Sequence, residues 1–337
     1  MKNLTQRLEA VAVAAICFTV WSRAGLGQTP PPVILEVDLE NYVQYWDDVA
    51  DPSKLASVPG LTTGAYRSFM QNAWVADIVA VNGMPARGTY VNRAQMFQFR
   101  PSIAAGQTIA DINRNGGPST EVFEFLQPDG TPIGTVIGIG LVAGAPPPGA
   151  PTAQRNSNKA IVGGTGAFLA VKGQFGTVVS ENVRMASESE DPSLRRVLGG
   201  GKIRMVLHII PAEWPEVLTV PTGPAIVHSA DFTLVTPDKP ARVGEILTLY
   251  ASGLGPTRPG VDPGKPFPTT GLQVVNSPVQ VVVNGTAAPA MWAGGYPGAV
   301  NAYQVNFRLP DSTASGMAWL ALNVAWISSS EVKIPVK

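Results

Sequence analysis

The chain has 337 residues with 24 basic and 24 acidic side chains, so its formal net charge is zero. It has no concentrated block of basic residues to release counterions from phosphates, which excludes a nucleic-acid partner. Glycine (35) and proline (31) are abundant and charged residues make up only 14%, a composition typical of an all-β protein with many turns.

Residues 1–27 are predicted to be a secretory signal peptide. Lys2 and Arg7 precede an apolar run over residues 10–21, which is too short to anchor the chain in a bilayer. Cleavage would remove the single cysteine, Cys17, and leave a net charge of −2 on about 310 residues. The mature chain is therefore expected to be secreted or to stay in the cell envelope (periplasmic or extracellular), without disulfides or a transmembrane anchor.

Apolar runs of strand length fill residues 28–211, which we predict to be one domain with an N-terminal extension. The runs are 33–38, 74–81, 89–99, 121–126, 133–142, 160–179 and 202–210. Asn82-Gly83 and Asp129-Gly130 predict tight turns between them. The pattern predicts an antiparallel sheet in which glycines permit sharp bends and close backbone approach.

Residues 212–222 are punctuated by proline and are predicted to be a linker. Residues 223–337 contain six further short runs, with a hairpin signal at Asn284-Gly285. The runs are 232–235, 246–251, 279–283, 302–308, 318–324 and 332–336. Six strands in this span predict an immunoglobulin-like β-sandwich without a disulfide.

Three segments resemble the dirigent and allene oxide cyclase barrel superfamily over about residues 72–211. They are Val91-Asn-Arg-Ala-Gln95, Phe123-Glu-Phe125 with Asp129-Gly130, and Ile161-Val-Gly-Gly-Thr-Gly-Ala-Phe168 with Gly173. The resemblance implies an eight-stranded antiparallel barrel with an apolar lumen. Members include oxylipin cyclases and proteins that steer the coupling or ring closure of small apolar molecules, although the catalytic residues of those proteins have no assigned counterpart here.

The second half resembles the Solibacter-type C-terminal domain of secreted acidobacterial proteins. The matching segments are Leu249-Tyr-Ala-Ser-Gly-Leu-Gly-Pro256, Val283-Asn-Gly285, Ala288-Pro289 and Tyr303-Gln-Val-Asn-Phe-Arg-Leu-Pro310. This resemblance implies an immunoglobulin-like sandwich and no particular reaction.

Four residues are candidates for acid–base catalysis in the barrel: Asp111, Arg114, Glu121 and Glu124. A lumenal carboxylate against an apolar wall has a raised pKa and becomes a general acid or base. Period-two alternation puts Glu121 and Glu124 on opposite faces of one strand, and which of them faces the lumen stays open. The alternative, which we favour, is a solvated rim residue or an ion pair with Arg93 or Arg114.

Five aromatic residues are candidates for lining an apolar ligand pocket: Trp74, Tyr90, Phe97, Phe123 and Phe125. The alternative is that they simply fill the barrel, because an eight-stranded barrel can be filled by its own side chains. In the second half, Trp292, Trp319 and Trp326 are either a carbohydrate platform or core residues, and we favour core. With two histidines and no mature cysteine, no metal site and no cofactor are predicted.

Together these features favour a secreted two-domain binding or scaffold protein. Its barrel would hold a small apolar ligand, and its C-terminal domain would attach it to a cell-surface or matrix partner. The alternative is a barrel enzyme, an isomerase or cyclase acting on an apolar lipid or phenolic substrate, in which the barrel would hold one reactive conformer. A buried carboxylate beside an open lumen would favour the enzyme, whereas a fully packed lumen would favour the scaffold.

Overall fold

The structure, a computed structural model, describes residues 33–46, 70–96, 118–142, 157–181, 183–187 and 189–337. These residues belong to one compact unit, Val33–Lys337. The predicted signal peptide and the candidates Phe97, Asp111 and Arg114 lie outside the described residues.

The first half of the chain folds into a closed barrel. Its strands are β1 (Val33–Trp46), β2 (Met70–Val81), β3 (Met84–Met96), β4 (Pro118–Leu126), β5 (Pro132–Val142), β6 (Ser157–Gly166), β7 (Lys172–Glu181), β8 (Arg184–Ser187) and β9 (Gly201–Ile210). Strands β1 to β7 and β9 pair antiparallel in the order β1-β2-β3-β4-β5-β6-β7-β9, and β9 pairs with β1 to close the sheet. The predicted eight-stranded antiparallel barrel is confirmed, and β8 adds a short parallel pairing to the end of β1.

The largest differences from the predicted strand runs are in three places. The first strand extends to Trp46, and the run 160–179 divides into β6 and β7. The chain reverses between these two strands because Gly166 (φ 60°) and Ala170 (φ 58°) adopt left-handed conformations, and Phe168 turns into the core. Residues 180–201, between two predicted runs, contain β8 and a helical turn at 192–198. Sequence alternation alone cannot distinguish two strands joined by a short turn, such as β6 and β7, from one long strand.

The two Asn-Gly signals form the hairpins that they predict. Val81 pairs with Met84 across Asn82 (φ 51°) and Gly83 (φ 73°). Val283 pairs with Thr286 across Asn284 (φ 47°) and Gly285 (φ 80°). Two-residue loops with positive φ at both positions match the twist of the strands they join.

Large apolar and aromatic side chains pack inside the barrel. Its fully buried members are Leu35, Leu39, Tyr90, Phe123, Phe125, Phe168, Phe175, Met205, Leu207 and Ile209. The lack of a side chain at Gly138 makes room for one of them, because a Cβ at that position would lie 2.2 Å from the Phe175 ring. This explains why a glycine occupies the centre of β5.

The second half forms another curled antiparallel sheet. Its strands are β10 (Glu216–Val217), β13 (Ile226–His228), β14 (Ile246–Ser252), β15 (Thr257–Arg258), β16 (Val274–Val275), β17 (Val279–Val283), β18 (Thr286–Gly295), β19 (Tyr303–Arg308), β20 (Gly316–Val324), β21 (Ile327–Ser328) and β22 (Val332–Val336), while β11 (Thr219–Val220) and β12 (Gly223–Pro224) form a separate two-stranded sheet. Strand β18 pairs with β17 through its first half and with β19 through its second, with a bulge between Ala290 and Trp292. The sheet curls at this bulge around a separate apolar core. Residues 212–222, the predicted linker, contain β10, which pairs with β14, and β11, which pairs with β12.

A hairpin tip of the second sheet closes one end of the barrel. Strands β20 and β21 are joined by Ala325 (φ 47°) and Trp326 (φ 64°), and both residues are buried among barrel core side chains. The Trp326 ring lies 5.4 Å from the Phe125 ring, centroid to centroid. A tryptophan with positive φ is uncommon, and the backbone strain here accompanies burial of a large side chain. Trp326 is therefore a core residue of the barrel, although it belongs to the second sheet.

On the outer barrel wall, Asp77 of β2 holds the helical turn 192–198 against the sheet. Arg196 donates two hydrogen bonds to its carboxylate (2.7 and 2.8 Å), Asn41 donates one (2.9 Å), and Arg195 forms a further ion pair. Burial acts to raise the pKa of Asp77, but the hydrogen bonds from Arg196, Asn41 and Arg195 outweigh it and lower the pKa from 3.8 to about 2.

This network predicts a stability difference that depends on pH. Because the folded pKa is lowered, the ionised Asp77 stabilises the fold above about pH 4, and the contribution is lost as pH falls through about 2. We expect Asp77→Asn to lower the free energy of unfolding at pH 7 by about 2 kcal/mol. Urea titrations of both proteins should show this difference shrinking between pH 4 and pH 2. A difference that stays constant over that range would contradict the assignment.

Candidate functional site

The interior of the barrel changes from apolar to polar along its length. At the end closed by Trp326 the buried side chains are aromatic and aliphatic. Toward the other end, where β1, β3 and β5 finish and β2, β4 and β6 begin, the inward positions carry Asn72, Asn92, Ser119, Glu121 and Lys159, all at most 6% exposed. A group of charged and amide side chains therefore lies inside a mainly apolar barrel.

Glu121 is at the centre of this polar group. It is fully buried on β4, opposite Asn92 of β3. Tyr90 donates a hydrogen bond to Oε2 (2.7 Å), and Asn92 donates one to Oε1 (2.7 Å). Lys159 of β6 forms an ion pair with the same carboxylate, and its side chain is only 4% exposed. A buried carboxylate needs such partners, because an unpaired charge in a low-dielectric interior is strongly unfavourable.

Aromatic rings surround the ion pair. The ammonium of Lys159 lies 5.5 Å from the centroid of Phe175 and 5.8 Å from that of Trp74. Tyr42 packs against Trp74 (5.6 Å) and stacks on Tyr90 (6.1 Å). These contacts add cation–π attraction and hold the charged groups in fixed positions.

Both tyrosines keep their protons at neutral pH. Burial raises the pKa of Tyr42 well above its ordinary value, and the negative charge of Glu121 raises it further. Burial and the same carboxylate raise the pKa of Tyr90. Tyr90 therefore acts as a hydrogen-bond donor to Glu121, whereas Tyr42 has an O–H that no described residue accepts.

Several buried polar atoms beside Glu121 have no hydrogen-bond partner among the described residues. They are the hydroxyl of Tyr42, both amide atoms of Asn72, Nε1 of Trp74 and Oδ1 of Asn92. Buried polar atoms are normally paired, and each unpaired one costs about 1–3 kcal/mol. Clustering of such atoms on adjacent strands is characteristic of a site that bonds to something other than the protein.

The structure brings together some of the predicted site residues. Glu121, Tyr90 and Trp74 lie in the polar cluster, and Phe123 packs on Tyr90 with ring centroids 4.9 Å apart. Phe125 lies deeper, against Trp326. Glu124 faces away from the lumen and is partly exposed. The favoured interpretation of Glu121 as a solvated rim residue is wrong, because Glu121 is fully buried and paired with Lys159. Its predicted partner Arg114 lies outside the described residues.

Sequence reasoning missed five members of the cluster: Tyr42, Asn72, Asn92, Ser119 and Lys159. A signal existed for four of them, because Asn72 lies two residues before Trp74, Asn92 two after Tyr90, Ser119 two before Glu121, and Lys159 two before Ile161. Period-two alternation puts each on the face of an inward residue. Tyr42 follows register shifts in β1, so simple alternation could not have placed it.

No family model, no curated protein and no solved structure matches the chain. Among the described residues there is no group of three or more His, Cys, Asp or Glu side chains arranged to hold a metal ion. Within the same part of the chain, no helix is both long and apolar enough to cross a membrane.

Proposed function

We propose that the protein is a secreted or cell-envelope binding protein whose barrel holds a small, mainly apolar ligand that carries one polar group. The observation that carries the proposal is a set of buried polar atoms on Tyr42, Asn72, Trp74 and Asn92 that have no hydrogen-bond partner among the described residues, in the same half of the barrel as the fully buried Glu121. The aromatic part of the barrel supplies apolar contact, and the unpaired donors and acceptors supply orientation.

The chemistry of the cluster supports a site with a functional role over one that only fills the barrel. A buried ion pair is often no better for stability than well-packed apolar residues of similar volume. A barrel interior that served only to pack side chains would not need amide and indole groups that lack hydrogen-bond partners among the described residues. The cluster therefore makes the barrel less stable than apolar residues at the same positions would, as is common at binding and catalytic sites.

A second candidate function is isomerisation or cyclisation of the same kind of ligand. It is favoured by the direct contact of a carboxylate, a phenol and an ammonium group, since Glu121 accepts from Tyr90 and pairs with Lys159. In such a reaction the Glu121 carboxylate takes a proton from one ligand atom and returns it to another, so no proton is gained or lost overall. The fixed barrel wall would hold the reactive conformer.

The ligand itself can be sought by mass spectrometry. We expect the mature protein, incubated with a mixed lipid and phenolic extract, to retain a small molecule detectable by native mass spectrometry. Glu121→Gln should weaken retention, whereas Glu124→Gln, three residues along on the outer face, should not. Equal retention by both variants, or none by the unmodified protein, would overturn the proposal; conversion of the retained molecule by the unmodified protein alone would favour the isomerase.

Substitution of Asn72 is predicted to have opposite effects on ligand binding and on the free energy of unfolding. Its amide is 1% exposed and neither amide atom has a partner among the described residues. Asn72→Leu keeps a similar volume and removes both atoms, so we expect the free energy of unfolding of the ligand-free protein to rise by about 1–2 kcal/mol. The same variant should lose ligand retention. A destabilised Asn72→Leu protein in urea unfolding would indicate that the amide has a structural role instead.

The remaining parts of the proposal concern family, compartment and the second sheet. The Gly163–Gly166 segment at the end of β6 and the eight-strand closure support membership of the dirigent and allene oxide cyclase superfamily. Five of the six predicted runs after residue 223 are strands, whereas the run 232–235 has only an isolated bridge at Leu234. These five strands support an immunoglobulin-like sandwich that attaches the protein to a surface or matrix partner. The apolar segment before residue 28 supports export.

A further inference from the structure

A cleft with a volume of about 470 Å³ lies where the second sheet meets the barrel. Its apolar wall includes Met84, Leu126, Ile133 and Trp326, and two of these, Ile133 and Trp326, are themselves barrel core residues. The volume is within the range of roughly 300–1,000 Å³ typical of small-molecule sites, which also favour domain interfaces.

The charge of this cleft is unbalanced. Arg87 of β3 is its only charged lining residue, and no carboxylate lines it among the described residues. Arg87 donates one hydrogen bond to the carbonyl of Pro128 (2.9 Å) and has no ion-pair partner within the described part of the chain. The nearby Asp129 faces a different cation, Arg258, at 3.8 Å. An arginine with free donors beside apolar walls is suited to a planar anion such as a carboxylate.

We propose that this cleft is a second ligand site, which binds a small carboxylate with an apolar body. The Arg87 guanidinium contacts the carboxylate, and the apolar body lies along Met84, Leu126 and Trp326. This site is distinct from the Glu121 cluster, whose first member on β3, Tyr90, lies three residues further along the strand and is not a lining residue of the cleft.

Position 280 offers a way to fill the cleft without touching the barrel core. Gln280 lies on β17 of the second sheet, lines the cleft, and is only partly buried. Gln280→Trp should place a large ring in the cleft while the barrel core stays unchanged. Arg258→Gln is the matched control for Arg87→Gln, because Arg258 also donates to the 127–131 turn, through Thr131 Oγ1 (3.0 Å).

The test uses decanoate as the probe, measured by isothermal titration calorimetry on the mature protein below the concentration at which the probe forms micelles. We expect one molecule of decanoate to bind, with decan-1-ol and decylammonium weaker. Arg87→Gln should weaken decanoate binding about tenfold or more, Gln280→Trp should abolish it, and Arg258→Gln should leave it unchanged.

Several outcomes would overturn the proposal. They are no decanoate binding to the unmodified protein, equal binding of decan-1-ol, and equal weakening by Arg87→Gln and Arg258→Gln. Asn72→Leu decides between the two sites. If Asn72→Leu abolishes decanoate binding and Gln280→Trp does not, the probe binds in the barrel. If decanoate still binds to Asn72→Leu, the result supports the cleft, even where the same variant no longer retains the barrel ligand.

Discussion

Lys159→Met is expected to lower the free energy of unfolding by about 3–5 kcal/mol. The substitution keeps an apolar side chain of similar length but leaves the fully buried Glu121 carboxylate without its counter-charge. The hydrogen bonds from Tyr90 and Asn92 remain, yet they do not balance a net charge in the barrel interior. Urea unfolding at pH 7 measures the loss.

The double variant Lys159→Met/Glu121→Gln is the control for that result. It removes both charges, and the glutamine amide can still bond to Tyr90 and Asn92. We expect it to recover most of the stability that the single variant loses, leaving a deficit of about 1–2 kcal/mol. A double variant as unstable as Lys159→Met would show that lost packing of the lysine stem, and not an uncompensated charge, causes the effect. The double variant should also fold yet retain no ligand.

Trp326→Ala is the second change with a large expected effect, a loss of about 3–5 kcal/mol. The substitution leaves a cavity at the closed end of the barrel, against Phe125. Because Trp326 comes from the second sheet, the loss should appear in amide hydrogen exchange of both β4 and β20. Destabilisation confined to β20 and β21 would contradict the role of Trp326 as part of the barrel core.

Ala325→Gly provides a comparison at the neighbouring position. Glycine adopts φ near 47° without strain, which favours folding, whereas the loss of one buried methyl group opposes it. The two effects are each about 1 kcal/mol, so we expect a net change of less than about 1 kcal/mol. A large loss from Ala325→Gly would indicate that the turn conformation, more than the indole ring, holds the hairpin in the barrel.

The sequence pattern was sufficient to predict the all-β class, whereas the closed barrel was expected from the resemblance of three segments to a barrel superfamily. The local signals were alternating strand runs, the turns at Asn82-Gly83 and Asn284-Gly285, and glycines at close backbone approaches. Each of them depends only on residues that are near in sequence. The division of residues 160–179 was not predictable, because the reversal depends on Phe168 reaching the core and on a positive φ at Ala170.

The candidate site was predictable only in part. Alternation separates Glu121 from Glu124, but it cannot say which side of a strand is the inside of a barrel. Glu121 of β4 pairs with Lys159 of β6 over the inner face of β5, which lies between them in the sheet. Such a contact depends on strand order and register, which alternation along a single strand does not specify. Burial of Trp326 in the barrel was beyond sequence reasoning for the same reason, since it joins residues about 200 positions apart.

A crystal structure of the protein after incubation with the mixed extract tests the central claim most directly. We predict electron density for an organic molecule in the polar half of the barrel, with one of its atoms within hydrogen-bonding distance of the Asn72 amide or Trp74 Nε1. Side chains or water alone filling that space, with Tyr42, Asn72 and Trp74 bonded only to them, would contradict the assignment of the barrel as a ligand site.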